Sequence, residues 1–559
     1  MSQVDSVTTA QVAQSARPPQ ADYRYDIEGL RGLTLLAILG FHAEIPGVGG
    51  GFVGPDIFFI ISGFVITGQL WKEVSNSGTV GLRRFYGGRA RRLLPVSAFV
   101  GIITMFGSAM LLSPLAIRNV IGDGIACALY VGNYRFALQG VDYFAADRPP
   151  SPFQHYWTLG VEEQFYLIWP ILLVGTAWIL GHTRRRAGAH AAGGAASERP
   201  YLVLLVLIAA GSFALSLWAT YAMPPMAYFS LPTRAWDLAV GCLLALTVGR
   251  WRRLPATAAT ILGWAGLALI LLACHQFRSS TPYPGTAALI PLLGTVLVLG
   301  AGCAAPTFGC GRVLAWSPMR AVGRLSYSWY LWHWPVLLFV PILLDRPMGL
   351  ADRLAAVAIS GGFAMFTLHF IENPLRYAAP LRRSPLRSLA VGGVATAVAV
   401  CVGLAMLVLV PAPAGRSVAA HKLIVDAGPP IVRGTVEQYD AAVQRVVAQV
   451  QDAVEASAEL QDVPSNLDPP LTASVSEAQR IFFDGCLRNY LEVGQPECAM
   501  GDTASATTVA LIGDSNAAMW TPGFQQAATQ RHWRLEMLAK GLCPVLDLPT
   551  LLYGRQYTE

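Results

Sequence analysis

The chain has 559 residues and a formal net charge of +6, with 54% hydrophobic and 13% charged residues. A soluble chain carries about 25% charged residues, so lipid must act as solvent for much of this one. The arginines sit between apolar runs, where membrane topology signals occur, which excludes a nucleic-acid footprint and a nucleic-acid partner.

Residues 1–21 are polar and rich in Ala, Gln and Ser, with no short apolar core or cleavage site. They read as a disordered cytoplasmic tail, not a signal peptide. Eleven apolar runs follow, at 32–46, 52–71, 95–113, 163–180, 202–221, 233–249, 257–274, 286–302, 324–344, 353–371 and 388–411. Each is near the length that crosses a hydrocarbon core of about 30 Å. With no water to pair their backbones, these runs must be helices. The first and sixth are short and interrupted by polar residues.

Twenty Lys and Arg residues fall in 72–92, 184–199, 250–253, 312–324 and 376–387, against seven in the alternate loops. Positive-inside reasoning then puts the N-terminus in the cytoplasm and everything after Pro411 outside. Residues 412–480 read as an extracytoplasmic linker with a helical stretch over 436–460. From 481 the pattern turns α/β. The expectation is a strand over 507–512, a Gly513-Asp514-Ser515 turn, a helix over 517–531 and a strand over 533–538. A doubly wound sheet needs more strands than that, so this domain is expected to be partial. The expected fold class is an α-helical polytopic membrane protein with about 10+1 transmembrane helices and a partial extracytoplasmic α/β domain.

Four groups of residues carry chemistry. Arg31 and His42 lie eleven positions apart, about 1100° of helical rotation and about 16 Å of rise, so they share a face at different depths. An ionisable group at that depth marks a functional site, and histidine suits proton transfer near neutral pH. Asp26 and Glu28 precede this helix as dipole partners, Asp26 as a cap. Asp56, in the stretch Gly54-Pro55-Asp56, caps the second span or pairs with His42 or Arg234. Arg89-x-x-Arg92 offers two guanidinium forks on one face, fit for phosphate or for plain anchoring.

The stretch from Gln154 through His155, Trp157, Glu162 and Glu163 to Tyr166 opens an otherwise apolar helix. Its carboxylates are either dipole partners or an acceptor site. Ser326 to Pro335, with His333, reads first as interface anchoring. Cys127, Cys242, Cys274, Cys303, Cys310 and Cys401 lack metal-ligand spacing, and no metal is expected.

These segments together resemble the acyltransferase-3 family of bacterial membrane acyltransferases, in the variant with a fused C-terminal SGNH domain. The resemblance rests on Arg31 followed after ten residues by His42, and on Gly54-Pro55-Asp56-Ile57-Phe58-Phe59-Ile60-Ile61-Ser62-Gly63-Phe64. It continues through Arg89-x-x-Arg92, Trp157 to Tyr166, Pro232-Thr233-Arg234-Ala235-Trp236-Asp237, Ser326 to Pro335 and Ile371-Glu372-Asn373-Pro374-Leu375-Arg376. The resemblance implies a membrane domain over 22–380, an eleventh transmembrane helix over 381–411, the linker over 412–480 and an SGNH-like, flavodoxin-like domain from 481 to 559.

It also implies an O-acyltransferase of the bacterial inner membrane. An acyl group, commonly acetyl, would pass from cytoplasmic acyl-CoA, a donor substrate rather than a bound cofactor, to a hydroxyl of an envelope glycan. His42 would be catalytic, supported by Arg31, Glu162 and Glu163, with Arg89 and Arg92 near the CoA phosphates. Asp56, His155, Trp157, Arg234 and His333 would support the acceptor side.

Ser515, with Asp514, stands where the SGNH nucleophile does. Asn516 replaces the usual His, and the downstream Asp-x-x-His is absent, so no turnover is expected from that domain. Cys486 and Cys498 are close enough for a local disulfide in an oxidising compartment, leaving Cys543 odd. A glycan or donor flippase, and a degenerate glycan-binding relative, are the competing readings.

Overall fold

The computed structural model describes residues 23–139, 150–186, 197–411, 415, 417–458, 460, 462–468, 470–473, 485–488, 494–541, 550–552 and 555–557. The expected N-terminal tail and Cys543 lie outside these residues. The chain divides into two units, one of Met1–Leu112 with Asn119–Leu407 and one of Ser113–Arg118 with Val408–Glu559.

In chain order the helices up to residue 409 are α1 (Tyr25–His42), α2 (Gly54–Ser77), α3 (Leu82–Leu111), α4 (Pro114–Ala128), α5 (Gly132–Leu138), α6 (Trp157–Arg186), α7 (Arg199–Ala222), α8 (Pro224–Phe229) and α9 (Leu231–Leu246). They continue as α10 (Val248–Trp251), α11 (Ala256–Gln276), α12 (Leu289–Ala304), α13 (Cys310–Leu314), α14 (Ser317–Leu344), α15 (Leu350–Thr367), α16 (Asn373–Tyr377), α17 (Ala379–Arg383) and α18 (Pro385–Leu409).

A helix stands at each of the eleven expected runs. Eight of them are long and apolar enough to cross a membrane, and the protein is a multi-pass membrane protein. The other three are α1, α9 and α12. The first carries Asp26, Glu28 and Arg31, while α9 and α12 have 16 residues each. Two of the three, α1 and α9, are the runs whose polar residues interrupt the pattern in the sequence.

Several helices outrun their apolar windows. The arginines expected in a loop before the third span lie inside α3, which starts at Leu82. The acidic segment expected at a helix opening is preceded by a 3-10 turn at Gln154–Tyr156, and Glu162 and Glu163 sit in the second turn of α6. Asp26 is no cap. It takes two hydrogen bonds from the Arg24 guanidinium, at 2.8 and 2.7 Å.

Packing in a bilayer gains nothing from hiding Leu against Leu, so small residues let backbones approach. A Cβ added at Gly32 would collide with the Met319 carbonyl, and one at Gly323 with the Glu28 carbonyl, so α1 and α14 touch backbone to backbone. The same device is reciprocal between α2 and α9, where Gly63 faces the Leu238 carbonyl and Gly241 faces that of Ile60.

In the second unit, α19 (Val436–Ser457) starts on a Thr435/Gln438 capping box, as a Thr-x-x-Gln spacing favours. The sheet has β1 (Leu487–Arg488), β2 (Ala499–Gly501), β3 (Thr508–Gly513) and β4 (Arg534–Lys540). Strand β4 is central, parallel to β1 and β3 and antiparallel to β2. The helix expected over 517–531 is two helices, α20 (Ser515–Met519) and α21 (Thr521–Arg531), because Pro522 has no N–H to continue the first. A hairpin of β5 (Thr550–Leu552) and β6 (Arg555–Tyr557) follows. Cys486 and Cys498 form the expected disulfide.

Replacing Gly32 by Leu forces side-chain atoms into the α14 backbone. The expected cost is about 1–3 kcal/mol, read as a lower thermal midpoint of the purified protein in detergent. A midpoint equal to wild type would contradict the close approach.

Candidate active site

A cavity of about 490 Å³ lies among α1, α2, α3, α6 and α14, within the range of about 300–1,000 Å³ that ligand sites occupy. Its walls include Arg31, Ser62, Arg89, Arg92, Glu162, Glu163, Ser326 and Tyr330. Arg24, Arg324 and Arg376 also line it, so cations outnumber carboxylates.

Each wall residue has a local cause. Glu162 and Glu163 are neighbours on α6 and diverge. Glu162 accepts a hydrogen bond from Ser62 at 2.8 Å, and Glu163 accepts one from Arg89 at 3.0 Å. The Arg89 guanidinium also lies 3.4 Å from the centre of the Tyr166 ring, a cation–π contact that fixes its plane.

Arg92 faces Glu372 at 3.6 Å. A π-helical turn at Leu368–Glu372 precedes α16, and Glu372 ends buried where Ser328 donates to it at 2.9 Å. Such turns frequently mark functional sites. Arg31 donates to Ser326 at 3.1 Å, and no described carboxylate lies within ion-pairing distance of it. The Nε atoms of Arg31, Arg89 and Arg92 are buried without a hydrogen-bond partner among the described residues. Three orphaned guanidinium donors around one cavity favour an anion.

Tyr330 joins this cavity to a group of three histidines. Its hydroxyl receives a hydrogen bond from Thr158 at 2.9 Å and donates to the His155 carbonyl at 2.8 Å. Its own carbonyl lies 2.6 Å from His333 Nδ1, and His333 Nε2 lies 2.8 Å from His42 Nδ1. The two rings are inclined by 10°, with centroids 5.1 Å apart. The separation is little more than the N···N distance plus two ring radii, so the rings meet edge to edge.

Pro335 lacks the N–H that would pair with the Leu331 carbonyl, and His155 Nε2 reaches that carbonyl at 3.1 Å. His155 Nδ1 is buried without a partner among the described residues. No described His, Cys, Asp and Glu cluster could hold a metal ion.

Asp56 and Arg234 lie apart from the cavity, in a closed ionic cluster. The Arg234 Nη2 to Asp56 Oδ2 distance is 2.9 Å and Arg234 Nε to Asp237 Oδ2 is 3.6 Å, all three side chains being fully buried. These contacts act through charge, since none of the atoms meets hydrogen-bond geometry. Phe59, Trp157, Tyr228 and Tyr283 surround the guanidinium with ring centres at 5.7–5.8 Å. Asp56 therefore pairs with Arg234, which the sequence left open against His42 or a cap. Trp157 is part of that cage.

In the second unit, Asp514 Oδ1 accepts from the Asn516 backbone N–H at 2.8 Å and caps α20. Ser515 is half-buried at the first position of that helix, not exposed.

Among the expected site residues, the cavity gathers Arg31, Arg89, Arg92, Glu162 and Glu163, and a second group gathers His42, His155 and His333. The carboxylates read as an acceptor site at a membrane entrance share one cavity with the arginines. Asp56, Trp157 and Arg234 form a third group, joined to the second through the segment 155–157. Sequence reasoning did not single out Ser62, Tyr130, Ser326 or Glu372 for roles. Glu372 was visible only as part of a motif, because nothing in composition announces a π turn.

The family model described as an acyltransferase domain matches residues 24–406. A second, described as an SGNH domain fused to such domains, matches residues 485–558. The peptidoglycan O-acetyltransferase OatA of Listeria monocytogenes is 32% identical over 370 residues, 63% of this chain and 56% of that one. The putative peptidoglycan O-acetyltransferase YrhL of Bacillus subtilis is 32% identical over 359 residues, 63% of this chain and 54% of its own. The O-acetyltransferase OatA of Staphylococcus aureus is 26% identical over 361 residues, covering 63% and 57%. The chain thus spans little more than half the length of these relatives. No solved structure matches it.

Arg234→Met leaves Asp56 and Asp237 buried without their cation. The expected loss is about 3–5 kcal/mol, seen as a fall in thermal midpoint in detergent, and adding Asp56→Asn with Asp237→Asn should recover most of it. An unchanged midpoint in the single variant would show that the cluster carries no load.

Proposed function

The chain belongs to the acyltransferase-domain family in the form that carries a fused SGNH domain, and from that membership we propose that it is a membrane O-acyltransferase. The donor is cytoplasmic acyl-CoA, the acyl group is acetyl, and the acceptor is a hydroxyl of an envelope glycan of the peptidoglycan class. The chain sits in the cytoplasmic membrane of a bacterium with its N-terminus inside and the residues beyond 411 outside. The charge asymmetry of the loops supports that orientation.

One observation carries the reading: a cavity with three orphaned arginine donors is joined through Tyr330 to His333 and His42. Arg31, Arg89 and Arg92 suit the phosphates of the donor. The cavity wall at Arg24 and Arg324 belongs, in this orientation, to the cytoplasmic ends of α1 and α14. The acyl end is delivered past Thr158 and Tyr330 towards the histidines.

As the acceptor oxygen bonds the thioester carbonyl carbon, His42 takes the hydroxyl proton. The C–S bond then breaks and the proton passes to the departing thiolate. The SGNH-like unit does no chemistry through Asp514, whose carboxylate is engaged as a helix cap. Its proposed role is to hold glycan near the membrane unit.

The test is mass spectrometry of envelope glycans from cells carrying wild-type or variant chains. His42→Ala is expected to remove the O-linked acetyl mass, a rate loss of about 10²–10⁴-fold, and an undiminished acetyl mass would sink the proposal. Arg92→Ala is expected to raise the donor KM by about 10–100-fold, the value of one or two charge-assisted bonds, with kcat little changed.

A further inference from the structure

We propose that His333 is a positioning residue that fixes which ring nitrogen of His42 carries the proton. The inference rests on His42 being the base of the reaction above, and it gives His333 a role in choosing the His42 tautomer that the reading above leaves unassigned.

The argument is one of donors and acceptors. A peptide carbonyl can only accept, so the 2.6 Å contact between Tyr330 O and His333 Nδ1 requires the proton on that nitrogen. In neutral His333 the other nitrogen, Nε2, then carries the lone pair. That nitrogen faces His42 Nδ1 at 2.8 Å, so His42 must donate from Nδ1. The His42 lone pair consequently falls on Nε2. The chain Tyr330 carbonyl, His333, His42 thus transmits a choice of tautomer from a helix backbone to the reacting ring.

The geometry supports transmission. The rings are within 10° of one plane and meet edge to edge, which is the direction in which imidazole N–H bonds and lone pairs lie. His333 is fully buried, so water does not compete for its nitrogens. Its ring is clamped by neighbours, with Tyr330 at 5.3 Å and His155 at 5.5 Å between ring centres. Trp334, the next residue, lies 4.5 Å from the His42 ring, so the turn of α14 that supplies the acceptor also packs the donor. His155 is held separately, by the carbonyl that Pro335 frees, and it does not compete for His333 Nε2.

The other His42 tautomer would turn the Nδ1 lone pair to that of His333 and the Nε2 N–H towards the reacting atoms. A ring in that state cannot take a proton from a hydroxyl. His333 is therefore expected to act on kcat, leaving donor binding in the arginine cavity untouched.

The experiment uses the full chain in lipid nanodiscs with acetyl-CoA and a soluble peptidoglycan fragment as probes, following thiol release and ester formation. His333→Phe keeps a ring of similar size but offers no acceptor. It is expected to lower kcat by about 10–100-fold, the range outer partners of functional histidines carry, at unchanged acetyl-CoA KM and thermal midpoint. His333→Gln places a carbonyl oxygen near the Nε2 position and is expected to restore most of kcat. Full activity in His333→Phe, or no rescue by Gln in a protein of wild-type midpoint, overturns the proposal.

Nitrogen-15 spectra of ring-labelled wild-type protein decide the matter independently of how the variants fold. Protonation of His42 at Nδ1 is expected, and protonation at Nε2 alone overturns the inference. If His42→Ala itself keeps full activity, the failure belongs to the functional reading and not to the role of His333.

Discussion

The backbone contact between α1 and α14 is the interaction on which the rest of the membrane unit depends. Gly32 and Gly323 remove the side chains that would hold these helices apart. Once they touch, Arg31 reaches Ser326 and His42 reaches His333. The two pairs advance along both helices in the same direction, so α1 and α14 run parallel. One contact thus sets both the anion-binding wall and the histidine group. In a medium with no water to satisfy stray polar groups, such pairings decide where helices can sit.

The intramembrane charges then fall into two kinds. Arg234 with Asp56 and Asp237 is sealed, fully buried and ringed by aromatic side chains. Its cost is offset only while all three members are present, which makes it a pillar between α2 and α9. The cavity arginines differ in that they line an open cavity, where Arg31 has no described carboxylate within ion-pairing distance. Closed clusters hold structure and open ones await a ligand, and the contrast separates support from site more clearly than residue type does. Trp157 belongs to the sealed cluster and His155, two positions earlier, to the histidine group, so a short 3-10 entry to α6 ties the pillar to the histidines.

The second unit follows different physics. Its sheet is organised on β4, which pairs with three other strands, and a disulfide joins the segments around β1 and β2. Asp514 and Ser515 stand at a strand-to-helix turn, yet the carboxylate is committed to the backbone N–H of Asn516.

Much of this was legible from residue order. Apolar length revealed the helices, because a bilayer leaves no other backbone solution. The polar interruptions at Arg31, His42, Arg234 and Asp237 exposed the runs that carry polar clusters, because charge in lipid is too costly to be incidental. The helical repeat put Arg31 and His42 on one face. What only the tertiary structure decided was partnership: that His42 meets His333, that Asp56 meets Arg234 rather than His42, and that Glu162 and Glu163 share a cavity with Arg89 and Arg92. The physical reason is range. Burial and helical phase act over a few residues of sequence, whereas these pairs join positions from 74 to 291 residues apart, and only the packing of whole helices chooses among the partners that local chemistry allows.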